Sequence, residues 1–323
     1  MLEHIQAMLR PQATQSFWFP TQASGYAAQT DWLFNFIMGI CVFFMVLIVS
    51  LLAVFIWRYR RREGHEPVPT AIHHTGLELT WTIIPTILCV FIFYFGISGY
   101  IDLRKPPLNA NEVQVVGQKW YWSFSYPNGV TDSKLHVARG ESTRLLMRSE
   151  DVIHSFYIPA FRIKMDVVPG RINKMWFTAT ESGEHQVMCT EYCGEKHSGM
   201  LTKVVVHEPE EFQRWLKQAK DRNTNKDPVA LGQELWAGRG CQQCHSVDGS
   251  RVIGPTFKGL WGRHEDFADG TSLAAADENY IRQSILQPQA KVVAGYPPIM
   301  PTYQGKLTDT EIDGIIAYIK TLK

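Results

Sequence analysis

Residues 189–200 read CTEYCGEKHSGM, and the reading of this stretch decides how the middle of the chain is built. Two thiols four residues apart, Cys189 and Cys193, are followed by an imidazole at His197 and a thioether at Met200. All are donors for soft or borderline metals. Gly194 and Gly199 mark the stretch as a ligand loop rather than a helix, despite spacings of four, four and three. Upstream, HSFYIP at residues 154–159 adds the imidazole of His154. A single-copper site uses one cysteine, two histidines and a distant methionine. A second cysteine allows two thiolates to bridge a pair of copper ions, which share one electron and need less reorganisation at each transfer. Zinc held by Cys189, Cys193, His197 and His154 fits the same ligand types, and a Cys189–Cys193 disulfide is the reading an oxidising compartment suggests.

Around this loop, residues 111–207 contain segments of high β propensity, among them EVQVVG, WYWSFSY, TRLLMR, HSFYI and LTKVVVH, divided by Gly, Pro, Asn and Asp turns. Seven or eight short strands at such spacing predict a Greek-key sandwich or barrel. Residues 208–226 read as a helix decaying into a polar linker. A new all-α unit of about one hundred residues opens where Asp227 can cap a helix begun by Pro228. Its last helix carries a capping box, Thr308 with Glu311, and an apolar face at Ile312, Ile315, Ile316, Ile319 and Leu322.

The sharpest single motif is CQQCH at residues 241–245. Cys241 and Cys244 can each add to a vinyl group of one haem, and His245 is then placed to bind the iron. A thioredoxin-like pair wants a strand before the motif, and a zinc site wants a second cysteine pair; neither is present in the sequence here. For the sixth iron ligand, elimination points to Met300, the one methionine beyond residue 200, in YPPIMPTY. His264 as that ligand, or Met300 as core filler, are the competing readings.

Two apolar runs precede all of this. Residues 32–57 carry no charge, and residues 79–100 form a second uncharged run containing Pro85. Each is long enough to cross the roughly 30 Å hydrocarbon core. The loop at 58–78 opens with Arg58, Arg60, Arg61 and Arg62, whereas residues 1–31 contain only Arg10 as a positive side chain. The positive-inside rule therefore puts the loop in the cytoplasm and both chain ends on the periplasmic or outer side of a bacterial inner membrane. A net charge of +1 provides no field for a polyanion, so no nucleic-acid partner is expected.

Taken together, the spans, the motif C-x-E-x-C-x-x-x-H-x-x-M standing complete at Cys189, Glu191, Cys193, His197 and Met200, the upstream His154 and the CQQCH unit resemble subunit II of a haem-copper cytochrome c oxidase, in the caa-type form with a fused C-terminal cytochrome c. The resemblance implies a two-helix transmembrane hairpin, a cupredoxin-like domain at 101–207 holding the dinuclear copper centre CuA, and a cytochrome c domain at 227–323 with one covalent haem c. It further implies that Glu191 binds copper through its carbonyl while its carboxylate helps hold a magnesium ion shared with subunit I. Trp120, in GQKWYWSF, matches the aromatic residue that passes electrons to CuA, and an edge-exposed indole would suit that contact; an interior aromatic of the sandwich is the competing reading. Glu78 matches the carboxylate at the cytoplasmic mouth of a proton path. The implied partners are oxidase subunits I and III, a cytochrome c or quinol-oxidising complex as donor, and the lipid membrane. The chain would supply relay centres, with oxygen reduced in a partner chain. A subunit of a nitrogen-oxide reductase and a copper-delivery protein are the rival functions.

Overall fold

The computed structural model describes residues 17–64, 72–222 and 226–323. Parts of the expected N-terminal segment (1–16), cytoplasmic loop (65–71) and linker (223–225) lie outside the described residues. Two apolar helices come first, α1 (Ala27–Tyr59) and α2 (Thr75–Arg104). Only Ala27 and Asp31 of α1, and no residue of α2, are buried by protein, so their apolar surfaces need lipid as solvent. Both run beyond the uncharged stretches at 32–57 and 79–100. At 33 residues, α1 spans about 50 Å, more than the bilayer core is thick. Past the uncharged run of α2, Trp176 donates its indole N–H to the Asp102 carbonyl near the end of that helix (3.2 Å). At the other end of α2, the His74 ring accepts the Leu77 amide and caps the helix.

The β domain has ten strands, more than the seven or eight read from the sequence: β1 (Asn111–Gln118), β2 (Tyr121–Ser125), β3 (Thr131–Asp132), β4 (Leu135–Ala138), β5 (Ser142–Ser149), β6 (His154–Ile158), β7 (Ile163–Val167), β8 (Asn173–Thr178), β9 (Gly183–Cys189) and β10 (Leu201–His207). β3 is too short to show alternation, and charges at Lys164 and Asp166 mask β7. The strands form two five-stranded sheets, ordered β3-β2-β1-β5-β8 and β4-β10-β9-β6-β7. β1 pairs β5 in parallel and β4 pairs β10 in parallel, pairings that hairpins cannot make, which gives the cupredoxin-like crossover topology. Alternate residues such as Val115, Phe124, Leu145, Phe156, Phe177 and Val204 are fully buried between the sheets. Helix α3 (Pro209–Arg222) leaves the sandwich but stays on it, with Phe212 and Trp215 buried and Trp215 stacked on His136 at 4.0 Å.

The C-terminal domain contains α4 (Pro228–Gly238), α5 (Cys241–Cys244), α6 (Glu278–Leu286) and α7 (Asp309–Thr321). A two-stranded ribbon, β11 (Glu265–Asp266) with β12 (Ser272–Leu273), is added to the expected helices. The Asp227 carboxylate accepts the Ala230 amide, and Thr308 with Glu311 completes its capping box. Helices α4 and α7 cross where Gly232 meets Gly314. A Cβ on Gly232 would lie 1.9 Å from the Gly314 carbonyl oxygen, so the crossing has room only for hydrogen.

Gly232→Ala should therefore destabilise the C-terminal domain by about 3 kcal/mol. Gly314→Ala, whose Cβ would meet its nearest neighbours at 3.2 Å, should be close to neutral because better helix propensity offsets the tight fit. Urea denaturation of the full chain, followed by haem absorption, tests this; equal midpoints for the two variants would contradict the crossing.

Candidate copper and haem sites on one seam

His154 is the first residue of β6 and Cys189 the last of β9, and the two strands pair with Phe156 opposite Cys189. The sheet thus holds one imidazole beside one thiol, and residues 190–200 fold back over them. Sγ of Cys189 lies 3.8 Å from Sγ of Cys193 and 3.9 Å from Nδ1 of His154. Sγ of Cys193 lies 3.5 Å from Nδ1 of His197 and 3.9 Å from Sδ of Met200. Sγ of Cys189 also lies 3.3 Å from the Glu191 carbonyl oxygen, while the Glu191 side chain is exposed. Both cysteines are free and, with His154 and Met200, buried.

The protonation pattern suits a metal. His154 Nε2 donates to Asp151 Oδ1 at 2.8 Å, which leaves the Nδ1 lone pair facing the thiols. Burial works against ionisation of Asp151, but the hydrogen bond from His154 and the amides of Lys119 (2.8 Å) and Val152 (2.7 Å) outweigh it and hold its carboxyl below the usual range. The hydrogen bond from Cys193 holds Cys189 well below the ordinary thiol range and raises Cys193, so the pair sheds its first proton readily. A soft donor set that includes a thioether fits copper better than zinc.

Trp120 departs from the expected edge-exposed indole. It is 5% exposed, and its Nε1–H is donated to the Cys193 carbonyl at 3.1 Å. Gly194 makes room for the ring, since a Cβ there would lie 3.0 Å from Cζ2. Glu78 lies in the first turn of α2, where its carboxylate accepts the His74 amide at 3.2 Å.

In the C-terminal domain Gly240 turns the chain into α5, and His245 follows it. His245 Nδ1 donates to the Pro255 carbonyl at 2.7 Å, and the ring stacks on Phe257 at 4.6 Å. Burial lowers its pKa and keeps it neutral, with Nε2 free to bind a metal. Burial likewise pushes the Cys241 thiol up to about 12 and that of Cys244 to about 11, so both remain thiols. Cys241, Cys244, His245 and Met300 line one largely apolar cavity, and these residues fit a covalently held haem. His264 is exposed, is bonded to Asp266 at 3.1 Å and lies off that cavity wall.

The two sites adjoin. Gln243, inside CQQCH, donates its side-chain amide to the Gly199 carbonyl in the copper loop at 3.1 Å. Arg239 donates to Ser123 Oγ at 3.0 Å, and Lys306 to Gln118 Oε1 at 2.9 Å. Tyr121, the first residue of β2, packs in the core of the C-terminal domain and stacks on Tyr303. Asp151, Tyr121 and Arg239 were not singled out by sequence reasoning. Only Asp151 left a signal, a carboxylate three residues before a candidate ligand histidine.

Anchoring helices, a cupredoxin-like sandwich with a soft-donor cluster and a haem-attachment fold define a membrane-bound electron-transfer protein. Three family models match in sequence order: the transmembrane domain of cytochrome c oxidase subunit II at residues 11–98, its periplasmic domain at 129–208 and cytochrome c at 229–323. Cytochrome c oxidase subunit 2 of Alkalihalophilus pseudofirmus is 31% identical over 313 residues, covering 91% of this chain and 88% of that protein. Its counterpart in Cereibacter sphaeroides is 27% identical over 258 residues, covering 68% and 84%. The solved periplasmic domain of subunit II of the Bradyrhizobium japonicum cytochrome oxidase is 31% identical and covers 36% of this chain and 99% of that one, with a TM-score of 0.35. The chain belongs to the cytochrome c oxidase subunit 2 family, in a form carrying a C-terminal cytochrome c domain. It is a subunit of a haem-copper oxidase whose oxygen-reducing site lies in another chain, subunit I.

Asp151→Ala should lower copper retention about 10- to 100-fold by freeing the His154 ring to rotate. Competition with a copper chelator measures this; unchanged retention would show that the strand pairing alone orients His154.

Proposed function

We propose that this chain relays electrons, one at a time, from a cytochrome c or quinol-oxidising complex to subunit I. In this reading His154, Cys189, Cys193, His197, Met200 and the Glu191 carbonyl hold dinuclear copper, while Cys241 and Cys244 bind haem c covalently, with His245 and Met300 as axial ligands. Bound there, the two groups would supply one-electron relay between the donor and subunit I. The contact that carries the reading is the Gln243 hydrogen bond to Gly199, because it ties the haem-attachment turn directly to the copper loop.

The chain's own residues prepare this relay. Asp151 and the Pro255 carbonyl each fix one ring proton, so that His154 and His245 present a lone pair to their metal. Met200 and Trp120 exclude water from the copper loop, which keeps reorganisation small. The burial of Trp120 favours a role inside the chain, between the copper loop and the cytochrome domain, over contact with a separate donor. The exposed Glu191 carboxylate is free to help hold magnesium at the subunit I surface, and Glu78 stands at the opposite end of the anchor as the mouth of a proton path. The fused domains face the periplasmic or outer side of the bacterial inner membrane, and subunit III completes the assembly.

Electron paramagnetic resonance of the oxidised full chain tests the ligand assignment. One electron shared by two equivalent spin-3/2 copper nuclei gives a seven-line pattern. Cys193→Ser should remove it, leaving four lines or none. Four lines in the parent protein would overturn the dinuclear reading.

A further inference from the structure

Among the described residues, Arg162 alone apart from glycines has a positive φ, 57°. Glycine adopts that backbone freely, whereas an L side chain adopts it at a cost. The residue closes the turn after Pro159–Phe161, between β6, whose first residue is His154, and β7. Its side chain accounts for the exception. Nε and an Nη donate to the two carboxylate oxygens of Asp31 at 2.8 and 2.9 Å, and the remaining N–H groups reach the carbonyls of Pro159 (2.9 Å) and Pro20 (2.6 Å). Gln22 adds a further hydrogen bond to Asp31 at 2.8 Å. The side chains of Arg162 and Asp31 are 4% and 10% exposed. A two-pronged, buried and fully satisfied ion pair of this kind holds one geometry, and removing either partner leaves a buried charge uncompensated.

Asp31 belongs to α1, the first membrane helix, so the pair joins the lipid anchor to the turn that follows the His154 strand. Backbone contacts extend the join, with the Ala23 amide donating to the Ala160 carbonyl at 2.9 Å. We infer that the Asp31–Arg162 pair is a positioning clamp, which sets the tilt of the copper domain relative to the membrane and hence to subunit I. The inference rests on the copper reading proposed above. Neither residue touches a candidate ligand, so the copper spectrum itself should survive loss of the clamp.

Oriented films of membranes containing the whole complex test this directly, because the copper resonance then varies with the angle between film and magnetic field. The parent should show a sharp angular dependence. Arg162→Gly, which relaxes the backbone, and Asp31→Asn, which keeps the side-chain shape, should each leave the unoriented spectrum unchanged and reduce the angular contrast at least twofold. Undiminished contrast in either variant with an intact spectrum would overturn the clamp. Loss of the unoriented spectrum in both variants would overturn it too, since the pair would then be holding the copper fold itself. A parent complex without any copper resonance would sink the copper reading and this inference with it.

Discussion

The ring of Tyr121 occupies the space beside Gly240 where any other residue would place a side chain. A Cβ on Gly240 would lie 2.5 Å from the tyrosine ring, and its φ of +81° is one that glycine adopts without strain. This contact falls one residue before the haem-attachment motif and three residues before Gln243, which bonds the copper loop. It therefore seats the start of α5 on the first residue of β2. Arg239, just before it, reaches Ser123 on one side and the buried Glu311 of α7 on the other. The carbonyl of the same arginine accepts the Tyr303 hydroxyl at 2.7 Å. The cytochrome domain is thus packed on the copper domain through a few groups at fixed distances, while α3 is itself pinned to the sandwich by Phe212 and Trp215.

Trp120 is buried under the copper loop, where its indole donates to the Cys193 carbonyl and its ring fills the space beside Gly194. The copper loop, the indole and the haem-attachment turn form one continuous layer, with Cys244 and Ile253 packed against the core of the copper domain. Met300 and the exposed Ile299 line the same cavity as Cys241, Cys244 and His245.

Much of this was legible in the sequence because short-range rules dictate it. The capping residues Asp227 and Thr308, the apolar face of α7 and the two uncharged runs depend on neighbours within a few positions, and periodicity reveals them. The donors at 154 and 189–200 could be recognised from residue type and spacing, and strand pairing brings them together. What was hidden depends on contacts between segments far apart in the chain. Nothing near Tyr121 indicates that Gly240 packs against its ring, and Arg162 looks like a surface residue until Asp31 arrives from a segment 131 positions away. Helices α1 and α2 run past the uncharged stretches where the first turns of α1 and the last turn of α2 meet protein, through polar residues such as Asp31 and Asp102. Strand β3 was missed because two residues carry no period.

The central claim is that the haem-attachment turn rests on the copper loop in a fixed arrangement. Electron spin relaxation of the copper centre measures this most directly, because a nearby ferric haem accelerates it with a steep dependence on distance. In the full chain, copper relaxation should be markedly faster with the haem oxidised than with it reduced, and the acceleration should follow a single distance. Relaxation that is indifferent to the haem's oxidation state, or spread over many distances, would contradict the account.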